Sequence, residues 1–241
     1  MLAYNLLMSI HIDDKTKLVN SVFTKVYKKY DFMNDVMSLG IHRVWKKNMI
    51  DWMRPRRNTK LIDVASGTGD LAKIFNKKTN STCEIFCVEP NKDMLEMGKD
   101  KLKKYENIIW QLAPAEKLPF KDDTFDFYSI SYGIRNVSNI KECLKEALRV
   151  LKPGGRFMCL EFSKVQNELL SKAYNQYSKL IPSIGKLIVG NREPYEYLIS
   201  SIDKFYTQQQ LVKLMKDNGF KNVEFRNLSN GISAVHSGWK I

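Results

Sequence analysis

The chain has no apolar run approaching the ~20 residues that a membrane-spanning helix requires. It also lacks clustered metal ligands. Cys83, Cys87, Cys143 and Cys159 contain no CxxC pair, and His11, His42 and His236 lie far from one another and from any cysteine. These gaps argue against a zinc site or a disulfide framework, no bound metal is expected, and free thiols fit a reducing compartment. The N-terminal stretch MLAYNLLMSIHIDD starts apolar but has no arginine, no basic region and no small-residue cleavage site. It makes a poor targeting peptide, and the expected location is the cytoplasm. Internal repeats and low-complexity tracts are also missing.

At 241 residues, 44% of them hydrophobic, the chain is long enough for one α/β domain with a large core. Its formal charge of +13 implies either an anionic partner, a nucleic acid or a membrane surface, or simply a Lys-rich solvated exterior.

Residues 1–58 read as an N-terminal helical extension acting as a substrate lid. Val22, Phe23, Val26, Tyr27 and Tyr30 recur at helical spacing, and Met33 to Trp52 suggest a second helical stretch interrupted near Gly40. Residues 59–241 read as the main domain. There LIDVA, EIFCV, Ile108–Leu112, Phe125–Ser131 and RFMCLEF are strands alternating with helices. The alternation predicts a parallel, doubly wound sheet. The helix over 139–151 opens with an Asn139/Glu142 capping box and stops at Lys152-Pro153-Gly154-Gly155. Residues 168–205 form a helical insert with breaks at Pro182 and Pro194. A last helix precedes KNVEFRNL and ISAVHSG, an antiparallel hairpin turning at Ser229-Asn230-Gly231. The predicted fold is a Rossmann-like class I methyltransferase fold: a mostly parallel seven-stranded sheet with a C-terminal antiparallel hairpin, the helical extension and the inserted lid.

The sharpest local signal is Leu61-Ile62-Asp63-Val64-Ala65-Ser66-Gly67-Thr68-Gly69-Asp70. A buried strand ends in a glycine turn that lets the backbone approach a ligand and then enters a helix. A dinucleotide fingerprint would place a third glycine where Ala72 stands. Asp63 with Gly67 and Gly69 instead follows the pattern of methyltransferases that use S-adenosylmethionine. Glu89 ends the next strand, where an acid accepts hydrogen bonds from both ribose hydroxyls. The loop Ala113-Pro114-Ala115 after the third strand would flank an adenine, with a backbone contact from Ala115. Ser131 ends the fourth strand beside the same crevice.

Further segments are more specific than the glycine turn. Tyr30-Asp31-Phe32-Met33-Asn34-Asp35-Val36-Met37-Ser38, then Gly40-Ile41-His42-Arg43-Val44-Trp45-Lys46, and later Gly133-Ile134-Arg135-Asn136-Val137 resemble signatures of the ubiquinone/menaquinone biosynthesis C-methyltransferases. Arg149 to Phe157, Leu160 to Ser163, and Gly231 to Lys240 resemble the same family, so the likeness runs from about residue 15 to the end. It implies methyl transfer to a ring carbon of a polyprenyl-methoxy-benzoquinol or of demethylmenaquinol. It also implies cofactor contacts at Thr68, Glu89, Pro114, Ala115 and Ser131. Ser66 stands where glycine is usual. Pro114 stands where Asn or Asp is common, which removes a side-chain bond to the adenine.

On the acceptor side, Arg135 and Asn136 are the first candidates to orient and charge-stabilise a quinol hydroxyl. His42 is either a base or a structural histidine of the N-terminal lid. Tyr30, Asp31 and Glu161 are further polar candidates; Asp31 and Glu161 are alternatively helix caps or partners of Arg43 or Arg156. A polyprenyl tail holds the substrate in a bilayer, so a transient anionic membrane surface is an expected partner, at the inner face. Residues 164–192, with Lys164, Lys172, Lys179, Lys186 and Arg192 among Tyr, Leu and Ile, read as a lid apolar inside and basic outside. A homodimer or a quinone-biosynthesis complex stays open, as does a non-catalytic cofactor- or quinone-binding scaffold. Nucleic acid is not expected: the paired prolines of base N-methylation are missing after the fourth strand, where Ser131-Tyr132-Gly133-Ile134 stands.

Overall fold

The structure, a computed structural model, describes residues 35–38, 40–189 and 192–241, without the side chains of residue 175 and residues 184–189. The helical spacing around residues 22–30 lies outside these, as does Tyr30. The second helical stretch is helical at 35–38 and again in α1 (His42–Met53), and Gly40 between them takes a left-handed φ of 78°.

The βα alternation expected from residue 60 onward is observed: β1 (Lys60–Val64), α2 (Asp70–Lys78), β2 (Glu84–Glu89), α3 (Lys92–Leu102), β3 (Ile108–Leu112), β4 (Phe125–Ser131), α4 (Ile140–Val150) and β5 (Leu151–Phe162). The insert is two helices, α5 (Glu168–Val189) and α6 (Glu193–Lys204), and α7 (Gln208–Asp217) leads into β6 (Lys221–Leu228) and β7 (Ser233–Trp239). The seven strands lie in the order β3-β2-β1-β4-β5-β7-β6. The first five are mutually parallel, and β7 runs antiparallel between β5 and β6. Successive crossovers leave β1 in opposite directions, toward β2 and toward β4. That reversal opens a crevice at the carboxyl ends of β1 and β4.

Local chemistry explains most boundaries. Asn91 caps α3 by accepting from the Met94 amide, and Thr207 and Gln210 form a reciprocal capping box on α7. The box expected on α4 is only half formed. The Asn139 side chain accepts from the Lys141 and Glu142 amides, but Glu142 pairs with Lys145, and the Asn139 amide donates to Glu116 instead. Residues 152–155 turn as expected, within β5: Phe125 pairs Leu151 and Phe127 pairs Arg156, so the segment bulges out of the ladder. Pro182 does not break the insert. It lies inside α5, where a proline removes one intrahelical bond, while its neighbour Ile181 is buried in the core. Pro194 sits in the first turn of α6, where the missing amide has no partner to lose. The turn between β6 and β7 has positive φ at Ser229, Asn230 and Gly231.

The described part of the N-terminal extension is not a separate layer. Trp45, Met49, Ile50 and Met53 of α1 share one apolar cluster with Leu61, Phe75, Phe127 and Met158. Trp45 also meets Phe162 edge-on and donates its indole N–H to Ser229 Oγ at 3.1 Å. Packing therefore runs across residue 58 without interruption. Among the described residues, no helix is long and apolar enough to cross a membrane.

Candidate active site

The glycine turn after β1 is built on left-handed backbone at Ala65, Gly67 and Gly69 (φ 52°, 56° and 80°). Glycine is needed at 69 for packing as well: a Cβ there would stand 2.6 Å from Leu102 Cδ1 and 2.9 Å from the Trp110 ring. Gly69 thus seats α2 against α3 and β3, whereas Gly67 serves the site directly. Its amide donates to Glu89 Oε2 at 2.9 Å, and the Asn91 amide donates to Oε1 at 3.0 Å. Two lone pairs of the carboxylate remain for a ribose.

Glu89 and Asp63 are both buried, and that burial pushes each pKa up to about 7, against the amides that hold Glu89 and the Ser129 hydroxyl that holds Asp63. Ser129 Oγ donates to Asp63 Oδ1 at 2.7 Å and ties β1 to β4. Asp63 Oδ2, Ser66 Oγ and Ser131 Oγ are buried and meet no hydrogen-bond partner among the described residues. The Ala72 amide approaches Asp63 and the Cys87 thiol approaches Ser66, neither in full hydrogen-bond geometry. All three atoms belong to residues lining the crevice. Orphaned polar atoms converging at a strand switch point fit a polar ligand that completes them.

Sequence reasoning missed part of this wall. Lys46, from the segment after Gly40, reaches the crevice from α1 with its side chain only 9% exposed, its ammonium 3.3 Å from Asp70 Oδ2. Lys101 donates to Asp70 Oδ1 at 2.7 Å and to Thr68 Oγ1 at 3.1 Å. Burial would raise the Asp70 carboxyl, but Lys46 and Lys101 win and hold it at about 2. A lysine after a tryptophan on an amphipathic helix carries no signal of its own; only the fold brings it to the glycine turn. Pro114 is exposed and Ala115 is buried in the loop after β3, and neither lines the crevice beside the glycine turn.

Past Ser131, Tyr132 turns the chain with φ 56° into a short 3₁₀ segment, Ile134–Asn136. The Arg135 guanidinium is buried and donates through Nη1 to Glu161 Oε1 at 2.6 Å and to the Tyr132 carbonyl at 2.7 Å. Its Nε donates to Ser201 Oγ of α6 at 3.3 Å. Asn136 Oδ1 accepts from the Tyr197 hydroxyl at 3.1 Å. Glu161 therefore pairs with Arg135, which corrects the alternative pairing with Arg156. Burial raises the Glu161 carboxyl, while Arg135 opposes the shift. The pair joins the end of β5 to the insert.

His42 is fully buried on α1. Its Nε2 lies 2.9 Å from Asp35 Oδ1, and Arg43 donates to the same carboxylate. Among the described residues Arg43 pairs with Asp35; Asp31 lies outside them. Burial lowers the His42 pKa, and Lys46 lowers it further, against Asp35. His42 does not line the crevice. His236 is likewise buried, its Nε2 on the Gln208 carbonyl at 3.1 Å. All four cysteines are free and buried.

Glu89 offers a ribose acceptor, and Lys46 and Asp63 offer charges of both signs to an amino acid. They sit at the switch point of a sheet whose five parallel strands end in an antiparallel pair, and that combination places the chain among the class I S-adenosylmethionine-dependent methyltransferases. Within that class it belongs to the ubiE/COQ5 methyltransferase family, which it matches over residues 11–240. It is 47% identical to the ubiquinone/menaquinone biosynthesis C-methyltransferase UbiE of Rickettsia bellii over 239 residues, 96% of each chain. It is also 47% identical to the protein of the same name from Roseobacter denitrificans, over 95% of this chain and 92% of that one. Among solved structures, an S-adenosylmethionine-dependent methyltransferase from Thermotoga maritima has the same fold, with a TM-score of 0.67 at 20% identity, covering 92% of this chain and all of that one.

The pH response of cofactor binding follows from Glu89. Were the ionised carboxylate to accept from both ribose hydroxyls, a proton and the cofactor would compete for it. Affinity is expected to be flat above about pH 7 and to fall below it, approaching about tenfold per pH unit for one obligatory deprotonation. Calorimetric titration with S-adenosylmethionine on either side of pH 7 checks this. Unchanged affinity on the acid side would show that Glu89 stays ionised there or does not hold the ribose.

Proposed function

We propose that the protein is the C-methyltransferase of ubiquinone and menaquinone biosynthesis, acting on a ring carbon of a polyprenyl-methoxy-benzoquinol or of demethylmenaquinol. The observation that carries this reading is the placement of the Gly133-Ile134-Arg135-Asn136-Val137 segment. It follows Ser131 and Tyr132, which line the crevice, and its guanidinium is locked by Glu161. The names of the relatives at 47% identity support the same reading.

When bound, the cofactor supplies a methyl group on a positively charged sulfur. Glu89 and the Gly67 turn hold its ribose, and Lys46 faces its carboxylate. Ser131 and Asp63 satisfy its remaining polar groups, and Thr68 stands beside them. Arg135 would hold the acceptor's hydroxyl as a phenolate, its proton passing to water, which makes the ring carbon electron-rich. That carbon would take the methyl group as the carbon–sulfur bond breaks, and the displaced ring proton would leave to water as the phenol re-forms. Glu161 positions Arg135, and Asn136, fixed by Tyr197, bounds the acceptor on the side of α6. Holding acceptor and methyl in line can supply ~7–11 kcal/mol of the barrier. His42 braces α1 against Asp35. Loss of the protein should make a quinone intermediate one methyl group short accumulate, measured by mass spectrometry. Normal quinones in its absence would rule the assignment out.

A protein with such a substrate must visit the membrane or accept the substrate from a partner, since each buried tail methylene is worth ~0.8 kcal/mol; we favour the visit. On α5, Leu169 and Leu180 are exposed beside Lys172 and Lys179. Lys164 faces the other way, donating to the Ile202 and Asp203 carbonyls. Tyr177 and Tyr174 donate to the Val36 and Met37 carbonyls and dock α5 on the N-terminal segment. Binding to anionic vesicles should be weak and collapse at about 1 M salt, where screening shortens to ~3 Å. Equal flotation with neutral and anionic lipid at every salt would contradict a charge-driven visit.

A further inference from the structure

At the opposite end of the sheet from the crevice lies a second cavity of about 470 Å³, walled by the end of α1, the start of β4, the bulge of β5, and β6 and β7. Four guanidiniums line it, those of Arg54, Arg56, Arg156 and Arg226, against one carboxylate, Glu224. Arg156 is only 5% exposed. Its Nε donates to Ser237 Oγ at 2.8 Å and its Nη1 to the Trp52 carbonyl at 2.7 Å. Its Nη2 meets only Glu224 Oε1, at 3.9 Å, beyond hydrogen-bond distance. The Trp52 ring is flanked by Arg156 at 5.2 Å and Arg226 at 4.2 Å, and Arg156 also lies 4.8 Å from the Trp239 ring. Cation–π contact with these rings holds both guanidiniums at the cavity wall.

As a structural brace alone, this arrangement is over-charged. Arg156 has its pKa lowered by burial and by Arg226 and Arg54, and Glu224 offsets this only in part from a half-exposed position. Arg54 is itself the left-handed residue, φ 53°, that ends α1 at the cavity. A brace would be better served by one arginine and a close carboxylate. Fixed, planar donors with spare N–H groups around an open volume are instead the arrangement that binds oxyanions in bidentate fashion. The excess of three positive charges favours a multiply charged anion, and the volume admits a small phosphorylated molecule or a lipid headgroup.

We propose that this cavity is a second ligand site, separate from the methyl-transfer crevice, which takes a phosphoryl-bearing anion on Arg156, Arg226 and Arg54. Glu224 occupies part of the site and competes with the ligand.

The test uses the full chain and two probes: inorganic pyrophosphate followed by calorimetry, and vesicles of neutral lipid with or without phosphatidylglycerol followed by flotation. Exposed positions are substituted so that folding is preserved, and S-adenosylmethionine affinity serves as the control. Saturable pyrophosphate binding should weaken about ten- to hundredfold in Arg226→Gln, the range for loss of a charged hydrogen bond, and tighten in Glu224→Gln. Cofactor affinity should stay the same in both. If pyrophosphate fails but phosphatidylglycerol vesicles bind with the same dependence on Arg226 and Glu224, the phosphoryl group is that of a lipid headgroup and the proposal stands. It is overturned if neither probe binds, or if binding ignores both substitutions.

Discussion

Arg135→Lys should lower turnover about 100-fold, the loss typical of one oxyanion-stabilising donor, while S-adenosylmethionine affinity stays near that of the unaltered protein. The reason is geometric. The guanidinium serves Glu161 and the Tyr132 carbonyl through Nη1 and Ser201 through Nε, a set of contacts that only a planar fork can hold together. A lysine keeps the charge and can still neutralise Glu161, but it offers a point charge without the fixed fork. Charge must be conserved in the test. Removing one member of a buried ion pair costs about 3–5 kcal/mol, so a neutral residue at 135 would confuse misfolding with lost chemistry. Single-turnover methyl transfer to a short-tailed quinol, set beside calorimetric cofactor affinity, separates the two. Full rate, or a loss of cofactor binding in proportion to the rate, would show that Arg135 does something else.

Glu89→Ala should weaken S-adenosylmethionine about ten- to hundredfold, equivalent to roughly 1.5–3 kcal/mol for a charged hydrogen bond. The structure adds a second consequence. Glu89 is also the acceptor for the Gly67 and Asn91 amides, so alanine leaves two turn amides without their partner. Glu89→Gln distinguishes the effects, because its single carbonyl oxygen can still take the Gly67 amide but cannot also accept from both hydroxyls. If the glutamine variant binds the cofactor as tightly as the original, the carboxylate is a structural clasp of the turn and not a ribose ligand.

The central parallel strands were legible in the sequence because a strand buried on both faces is a largely apolar run, as in β1 and the Phe157–Phe162 part of β5. The half-exposed edge strand Ile108–Leu112 and the strand Phe125–Ser131 also coincide with expectation. The glycine turn and Glu89 were legible because backbone geometry at a strand end restricts the residue type. Pro182 misled because proline costs a helix one bond, and tertiary burial around Ile181 outweighs that cost. Arg135 and Glu161 are 26 residues apart, with α4 and most of β5 between them, so local pattern could nominate each residue but not join them. Lys46 was hidden for the same reason: its role depends on α1 docking beside a turn more than twenty residues further along.

The most direct measurement of the central claim is transfer of a labelled methyl group from S-adenosylmethionine, by the purified protein, to a short-tailed methoxy-benzoquinol or demethylmenaquinol, with the product's position of methylation read by mass spectrometry and NMR. The account predicts one label per ring, bonded to a ring carbon, with transfer about 100-fold slower in Arg135→Lys. A label on oxygen, a label on RNA instead of the quinol, or cofactor binding without any transfer would contradict it.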